Sequence, residues 1–489
     1  MNFNLLKNYP PQFGGLCFTQ AFYNFSFYGL KSIFVLYIIT QLSLPESKAI
    51  SLFATWMALA YGSSLIGGWV ADNIFNAKTT IILGGLFQSL GIFFLTYSQE
   101  NLVFLALALI TLGSGFFKPT LSTSVGMLFD DPQDPKRDKA YSTFYVAMNL
   151  GSFIGPLICG FISKTYGGYY TSLLLIIMTL IGGIYLFYKR ISFNHEKNPA
   201  ILKKTLAFHA VFVGVGIVVL IFFLALLYKY HDSFHHFLAV IALGSFIYFG
   251  KIFYQSDSRE RKDILNILLY ILLFAFFCSL FEQAGSSLIL FFDKSVDRTL
   301  LGMEIPSSAL LSLNPIFVLI CGPLFILFSE RVIEKHKRID GFVKMGAGFL
   351  LTGLSFFVLA LSCSQRNTLV SLAWVVIALL VQVIGELFIV PIGYSNISKL
   401  SPPRYRSLMM SYWLMAIAYG NYFAGFIAQF SLSNPEMSES PIEHYQAFFL
   451  SLTLMPCLIG FLLLLYFYVK QSKSVVKRRE AFRMQEEKV

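Results

Sequence analysis

Long, unbroken runs of apolar residues dominate the chain and alternate with short polar segments. Each run has roughly twenty residues or more, the length that a helix needs to cross about 30 Å of hydrocarbon. Because the runs are continuous rather than alternating between apolar and polar positions, a transmembrane β-barrel is excluded. The pattern predicts an all-α membrane protein with fourteen spans, at about 12–40, 47–71, 79–98, 102–128, 141–161, 170–188, 205–228, 235–254, 264–292, 308–329, 342–363, 370–397, 407–431 and 446–469.

Composition agrees with this pattern. The chain is 56% hydrophobic and 13% charged, whereas a soluble domain carries about a quarter charged residues. The first apolar run is too long for the core of a signal peptide, so we expect a multi-pass protein of the inner (plasma) membrane. The six cysteines show no paired spacing, and the phosphate-binding pattern G-x-x-x-x-G-K-[ST] is absent. We therefore expect no disulfide, no metal, no cofactor and no ATPase activity.

Positive charge is concentrated in the loops predicted to be cytoplasmic. Lysine and arginine cluster at 136–139, 189–204, 259–262, 331–338 and 399–406, while the loops on the other side hold few cations. This bias predicts that both termini lie in the cytoplasm. It also explains the net charge of +11 without a nucleic-acid partner. The basic tail 471–489 is either a topology determinant alone or a segment that touches anionic membrane lipid.

The spans divide into two six-helix bundles. We predict an N-terminal bundle at 1–190, an inserted two-helix hairpin with its linkers at 191–262, and a C-terminal bundle at 263–470. The halves echo each other weakly, since Gly67-Gly-Trp-Val-Ala-Asp72 and Gly322-Pro-Leu-Phe stand at matching places. Six-helix halves related in this way, with a site between them, are typical of secondary transporters.

Four charged residues lie inside predicted spans: Lys31, Lys118, Glu282 and Glu386. Each costs at least about 2.5–3.5 kcal/mol at the bilayer centre, so each needs a partner or a wet surrounding. Two cations and two anions balance, which favours a water-filled cavity with paired gates. The alternative is a set of static ion pairs that hold the bundle together.

Glycine and proline accompany two of these charges, in Gly113-Ser-Gly-Phe-Phe-Lys118-Pro119 and in Gly385-Glu386 followed by Pro391 and Gly393. We expect irregular backbone there, which at membrane depth is tolerated mainly where it lines a cavity. A cation on one half that faces an anion on the other suits a substrate with a carboxylate at one end and an ammonium group at the other.

The segment Phe144-Tyr-Val-Ala-Met-Asn149-Leu-Gly-Ser152 resembles the F-Y-x-x-[IV]-N-x-G-S signature of the proton-dependent oligopeptide transporter family, within the major facilitator superfamily. Further similar segments follow in the family's order: Gly67–Asp72, Gly115–Pro119, Phe281–Ser287, Asn314-Pro315 and Gly385–Pro391. The resemblance covers essentially the whole chain, including the hairpin. It implies a major facilitator fold and proton-coupled import of di- and tripeptides or similar small zwitterions by alternating access.

The resemblance also implies roles for single residues. Lys118 and Glu386 are expected to form the cytoplasmic-side gate and to bind the substrate carboxylate and amino group, respectively. Lys31 is expected to pair with Glu282 on the outer side. Five further side chains are expected to line the substrate pocket: Tyr28, Tyr61, Asn149, Asn314 and Trp413. The alternatives are ordinary helix packing for the aromatic residues and interhelical hydrogen bonds for the asparagines.

The first helix departs from the family pattern. Where relatives carry E-x-x-E-R, this chain has Gln20, Tyr23 and Asn24, so two carboxylates and an arginine are missing together. Lys118 then pairs with Glu386, binds a substrate anion or releases its proton. Two functions stay open: an importer in which Glu282 and Glu386 still carry a proton, and a facilitator, exchanger or exporter of another small metabolite. A membrane enzyme or receptor would need a catalytic dyad or a large soluble module, and we find neither. We expect a monomer.

Overall fold

A computed structural model describes residues 10–129, 135–165, 168–191, 206–335, 341–364, 369–402, 405–432 and 441–486. These residues contain fifteen α-helices: α1 (Phe13–Gln41), α2 (Glu46–Asn73), α3 (Ala77–Leu95), α4 (Glu100–Gly126), α5 (Pro135–Thr165), α6 (Tyr169–Arg190), α7 (Leu206–Lys229), α8 (Phe234–Gln255), α9 (Ser258–Phe281), α10 (Ser287–Ser295), α11 (Leu313–Lys335), α12 (Gly341–Cys363), α13 (Leu372–Leu400), α14 (Arg406–Gln429) and α15 (Pro441–Glu486).

The helices match the predicted spans. Twelve segments of the described chain are long and apolar enough to cross a membrane, and one of them, Ser258–Ser295, combines α9 with α10. The remaining two predicted spans, 205–228 and 407–431, correspond to α7 and α14. The prediction of an all-α membrane protein with fourteen spans is therefore confirmed. The last helix continues to Glu486, so most of the predicted tail is a helical continuation beyond the final span, which ends at Val469.

The backbone irregularity lies elsewhere than expected. Both α4 and α13 run unbroken through Pro119 and Pro391, so the prediction of broken helices at these prolines was wrong. A proline inside a membrane helix removes one hydrogen bond, and the helix absorbs this loss locally. The ninth span is the interrupted one, because a 3₁₀ turn at Glu282–Gly285 separates α9 from α10. The break places the Glu282 carboxylate at the end of α9.

Buried apolar residues form one large cluster centred on the N-terminal half, which includes a few residues of α7, α10 and α14, and two clusters in the C-terminal half. In the N-terminal half, α1 packs against α5 and α6, and α4 lies between α2 and α3. The helices α2 and α4 cross so closely that a Cβ atom at Gly67 would lie only 1.9 Å from the carbonyl oxygen of Gly115. Only glycine fits at this position. In the C-terminal half, α12 packs between α13 and α15, and α9 packs against α14.

The two halves meet at the face that the charge distribution predicts to be outer. There α2 packs along α14, and the 3₁₀ helix Ser307–Ser312 packs against α5. Gln429 donates from Nε2 to the carbonyl oxygen of Ser47 at 2.9 Å, and Lys294 forms an ion pair with Glu46. Parts of the cationic loops that carry the orientation prediction, including residues 192–205 and 336–340, lie outside the described residues.

The hairpin attaches to both halves. Its first helix, α7, packs on α4, where the hydroxyl groups of Tyr228 and Thr111 form a hydrogen bond. Its second helix, α8, is held to α14 by the Tyr412 hydroxyl, which donates to the carbonyl oxygen of Ser245 at 3.3 Å. Short two-stranded pairings order loops at the predicted outer face: Val296–Asp297 with Val370–Ser371, and Thr299–Leu300 with Met303–Glu304.

Candidate functional site

An ion pair between Lys31 and Glu282 joins the two halves. Lys31 Nζ lies 2.6 Å from Glu282 Oε2, and both side chains are at most 10% exposed. Lys31 belongs to α1, whereas Glu282 stands at the break between α9 and α10. The ring of Tyr28 lies one turn away on α1, with its centre 5.6 Å from Lys31 Nζ. Two charges that the sequence identified as costly in lipid therefore neutralise each other across the interface.

Lys118 lies near this pair and is held by aromatic rings. Its Nζ atom is 4.0 Å from the ring centre of Tyr61 and 5.5 Å from that of Phe27, distances at which a cation is attracted to a ring face. The charges of Lys31 and Glu282 act on it, but no carboxylate of the described chain lies within 4.0 Å. The ammonium group therefore remains available to an anion.

Glu386 lies on the opposite half and pairs with an amide. Asn314 donates from Nδ2 to Glu386 Oε2 at 3.2 Å, and the charges of Glu282 and Lys31 act on this carboxylate. The pair expected between Lys118 and Glu386 is not formed in this conformation. Both side chains are partly exposed. The structure thus brings all four membrane-embedded charges into one cluster in which only the Lys31–Glu282 pair is closed.

The other expected pocket residues occupy different environments. Tyr28 and Tyr61 are partly exposed beside the charge cluster. Asn149 is nearly buried, and its Nδ2 donates to the carbonyl oxygen of Tyr145 in the same helix. Trp413 is fully buried and stacks on Phe274 with ring centres 3.8 Å apart, so in this conformation it packs between helices.

Tyr145 is a site residue that the sequence analysis missed. Its side chain is 49% exposed, and the charge of Glu386, on the other half, acts on it. A signal was present, because Tyr145 precedes Asn149 by four residues and therefore shares its helix face.

Neutral hydrogen bonds occupy the place of the missing first-helix charges. Gln20 donates from Nε2 to Asn24 Oδ1 at 3.0 Å. Asn24 in turn donates from Nδ2 to the Ser152 hydroxyl and to the carbonyl oxygen of Met148, both at 3.0 Å. Tyr23 is buried and stacks on Phe117, with ring centres 4.6 Å apart. This part of the site ties α1 to α5 and α4 without an ionisable carboxylate.

The cluster can bind a solute that carries a negative charge at one end and a positive charge at the other. Lys118 presents a cation from α4, over the ring of Tyr61, and Glu386 presents an anion from α13, beside Asn314. The two cations and two anions sum to zero, so a zwitterion adds no net charge to a poorly solvated site. Within the described residues, no group of three histidine, cysteine, aspartate or glutamate side chains is placed to hold a metal ion.

Two six-helix halves that meet around an ionised interior define a secondary carrier of the major facilitator type. Comparison with known sequences narrows this class, because the family described as PTR2, POT family, matches residues 78–446. The chain belongs to the POT family, which confirms the resemblance seen in its motifs.

Similar transporters match most of the chain. Dipeptide and tripeptide permease A of Salmonella typhimurium (strain LT2) is 28% identical over 467 residues, covering 93% of this chain and 91% of the permease. The di-/tripeptide transporter of Lactococcus lactis subsp. lactis is 32% identical over 426 residues, covering 81% and 85%. The crystal structure of a peptide transporter POT in complex with sulfate is similar, with a TM-score of 0.80, 27% identity, and coverage of 93% and 94%.

Proposed function

We propose that this chain imports di- and tripeptides, or similarly small zwitterions, across the inner membrane by proton-coupled alternating access. The observation that carries the proposal is the unequal state of the two charge pairs. Lys31 and Glu282 are paired across the halves, while Lys118 and Glu386 are partly exposed and apart. The names of the Salmonella and Lactococcus relatives support the substrate class.

In this proposal the substrate bridges the two halves. Its carboxylate binds Lys118 and its ammonium group binds Glu386, in a pocket lined by Tyr28, Tyr61, Asn149 and Asn314, while Trp413 stays packed against Phe274. Closure of the opposite gate brings Lys118 and Glu386 together while Lys31 and Glu282 separate. Protonation of a carboxylate weakens its pair and shifts the population between the two conformations. A proton gradient can therefore drive the cycle.

A second candidate function keeps the fold and changes the coupling. The neutral hydrogen bonds of Gln20 and Asn24 favour it, because these groups cannot release or take up a proton near neutral pH. The carrier is then a facilitator, exchanger or exporter of another small metabolite. In both cases we propose that the chain acts as a monomer, has both termini in the cytoplasm and performs no chemical reaction on its solute.

Uptake of labelled dipeptides into proteoliposomes, with and without an inward proton gradient, separates these functions. Accumulation that requires the gradient supports the coupled importer. Equilibration that is indifferent to the gradient favours the facilitator. Absence of both uptake and counterflow with every dipeptide tested would reject the peptide assignment. Protein-free liposomes control for leakage of the label.

A further inference from the structure

An apolar groove lies beside the hairpin, outside the interface between the two halves. Its volume is about 560 Å³, and α8, α9 and α14 form its walls. Ala242 and Phe246 of α8 face Leu272 and Ala275 of α9 across it. These residues lie in the middle of their helices, so the groove is at the depth of the hydrocarbon. Phe246 and Leu272 are about half exposed, which shows that the groove opens sideways at the surface.

The polar groups in the middle of this groove are already engaged. Besides the hydrogen bond from Tyr412 to Ser245, the Tyr419 hydroxyl donates to the carbonyl oxygen of Leu238 at 3.5 Å. The Ser245 hydroxyl lies 3.8 Å from Met415 Sδ. An ordered water needs two to four polar partners, and this lining does not supply them. Hydrocarbon is therefore the medium that fills the groove.

A cation stands below the groove, toward the predicted cytoplasmic face. Arg261 precedes Leu268 and Leu272 of the lining by seven and eleven residues, so it lies on the same stripe of α9. Its Nε and Nη2 atoms donate to the carbonyl oxygens of Phe253 and Tyr254 at 3.1 and 3.0 Å. These bonds hold the guanidinium group at the end of α8, 5.6 Å from the ring centre of Phe253.

This guanidinium group has donors to spare. It carries five N–H groups and uses two of them for the carbonyl oxygens. No carboxylate of the described chain lies within 4.0 Å of it. The Asp257 carboxylate nearby accepts hydrogen bonds from the backbone N–H groups of Arg259 and Glu260 at the start of α9. A phosphate group is complementary to the remaining N–H donors of the Arg261 guanidinium group.

We propose that this groove binds one phospholipid from the leaflet on the predicted cytoplasmic side. An acyl chain lies between α8, α9 and α14, and the lipid phosphate binds Arg261. Because the site presents a cation without an acidic partner, it prefers an anionic headgroup over a zwitterionic one. One basic residue near the membrane surface favours an anionic lipid by about fivefold. Hydrogen bonds from two tyrosine hydroxyls join α14 to α8, and the lipid fills the remaining space between these helices.

Native mass spectrometry of the delipidated full chain tests the proposal, independently of the transported solute. The chain is titrated with phosphatidylglycerol or phosphatidylcholine that carry the same acyl chains. We expect one bound lipid and about fivefold tighter binding of phosphatidylglycerol. Ala242→Trp fills the groove and should abolish retention of both lipids. Val240→Trp is the matched control, because Val240 is 70% exposed on the same helix and does not line the groove.

The headgroup contact has its own pair of variants. Arg261→Gln should remove the preference for phosphatidylglycerol, whereas Arg259→Gln, which removes an exposed cation from the first turn of the same helix, should keep it. Ala239→Trp is a second groove-filling variant in case Ala242→Trp does not purify folded. The proposal is overturned if the groove-filling variants retain lipid as Val240→Trp does, or if Arg261→Gln and Arg259→Gln show the same lipid preference. It is also overturned if the wild type is a dimer that Ala242→Trp converts to a monomer, because a second copy of the chain would then occupy the groove.

Discussion

Lys31 and Glu282 form the one buried ion pair that crosses between the halves of the described chain, with 2.6 Å between Nζ and Oε2. The other described pairs between the halves, Lys294 with Glu46 and Lys164 with Asp293, have side chains that are 31–47% exposed. Exposed pairs contribute about 0–1 kcal/mol, whereas loss of one partner of a buried pair costs about 3–5 kcal/mol. The Lys31–Glu282 pair is therefore the main electrostatic contact holding the predicted outer face closed.

Neutralising Glu282 should open this face. Glu282→Gln keeps the size of the side chain but leaves Lys31 without a counter-charge, so conformations that hydrate Lys31 gain population. We expect labelling of a Ser308→Cys reporter by a membrane-impermeant thiol reagent to rise at least about tenfold. Ser308 is 2% exposed, and the background needs the six native cysteines replaced. Lys48→Gln breaks only an exposed pair within the N-terminal half and is the matched control. Equal labelling in both variants would contradict this role for Glu282.

Replacement of Lys118 should remove recognition of the substrate carboxylate specifically. A hydrogen bond to a charged group is worth about 1.5–3 kcal/mol, so Lys118→Ala should weaken dipeptide binding by about tenfold to a hundredfold. The same dipeptide with a C-terminal amide should bind the wild type weakly and lose little more in the variant. Binding isotherms of both ligands with both proteins give a four-way comparison that isolates the interaction between Lys118 and the substrate carboxylate. If the variant weakens acid and amide equally, Lys118 acts on the pocket as a whole and not on the carboxylate.

The membrane spans could be predicted from the sequence, whereas the geometry of the site could not. Span positions follow from local runs of apolar residues. The positions of helices such as α7 and α14 could therefore be predicted from their own segments of the sequence alone. The break at Glu282 carries no proline, and its polar group is stabilised by Lys31, which is 251 residues away in the chain. Local patterns contain no information about such a partner. They pointed to Pro119 and Pro391 instead, where the helices are intact.

The state of the Lys118–Glu386 gate was also beyond the sequence. The four embedded charges could be identified because each is costly in lipid, but a carrier has several conformations that share one sequence. Only the structure shows that Glu386 accepts a hydrogen bond from Asn314 while the Lys118 ammonium group lies over the ring of Tyr61. Likewise, the absence of charge at Gln20 and Asn24 was visible in the sequence, whereas the contact of Asn24 with Ser152, 128 residues away, was not.

The neutral first-helix network should contribute measurably to stability. Interhelical hydrogen bonds in membranes average about 0.6 kcal/mol and reach about 1.7, so Asn24→Ala, which loses two of them, should cost about 1–2 kcal/mol. Asn24→Asp should cost more, because a carboxylate oxygen then faces the carbonyl oxygen of Met148. Thermal unfolding in detergent provides the ranking. Ser122→Ala is the control, since that hydroxyl bonds within its own helix to the carbonyl oxygen of Lys118. An Asn24→Ala variant as stable as Ser122→Ala would show that the network is not a structural tie.

A disulfide across the predicted outer face should trap the conformation described here. Gly160 of α5 and Ala309 of the 3₁₀ helix lie on opposite halves, and a Cβ atom on Gly160 would be 3.2 Å from that of Ala309. Disulfides need about 3.5–4.5 Å between Cβ atoms, and the added Cβ atom would also lie 2.9 Å from the backbone nitrogen of Ala309, so the 3₁₀ helix must move slightly away from α5 to accommodate the bond. In a background without native cysteines, oxidised Gly160→Cys/Ala309→Cys should lose dipeptide uptake, and reduction should restore it. Each single variant separates the effect of the bond from that of the added side chain. Uptake that survives complete cross-linking would mean that the halves do not separate here during transport, and alternating access about this contact would have to be abandoned.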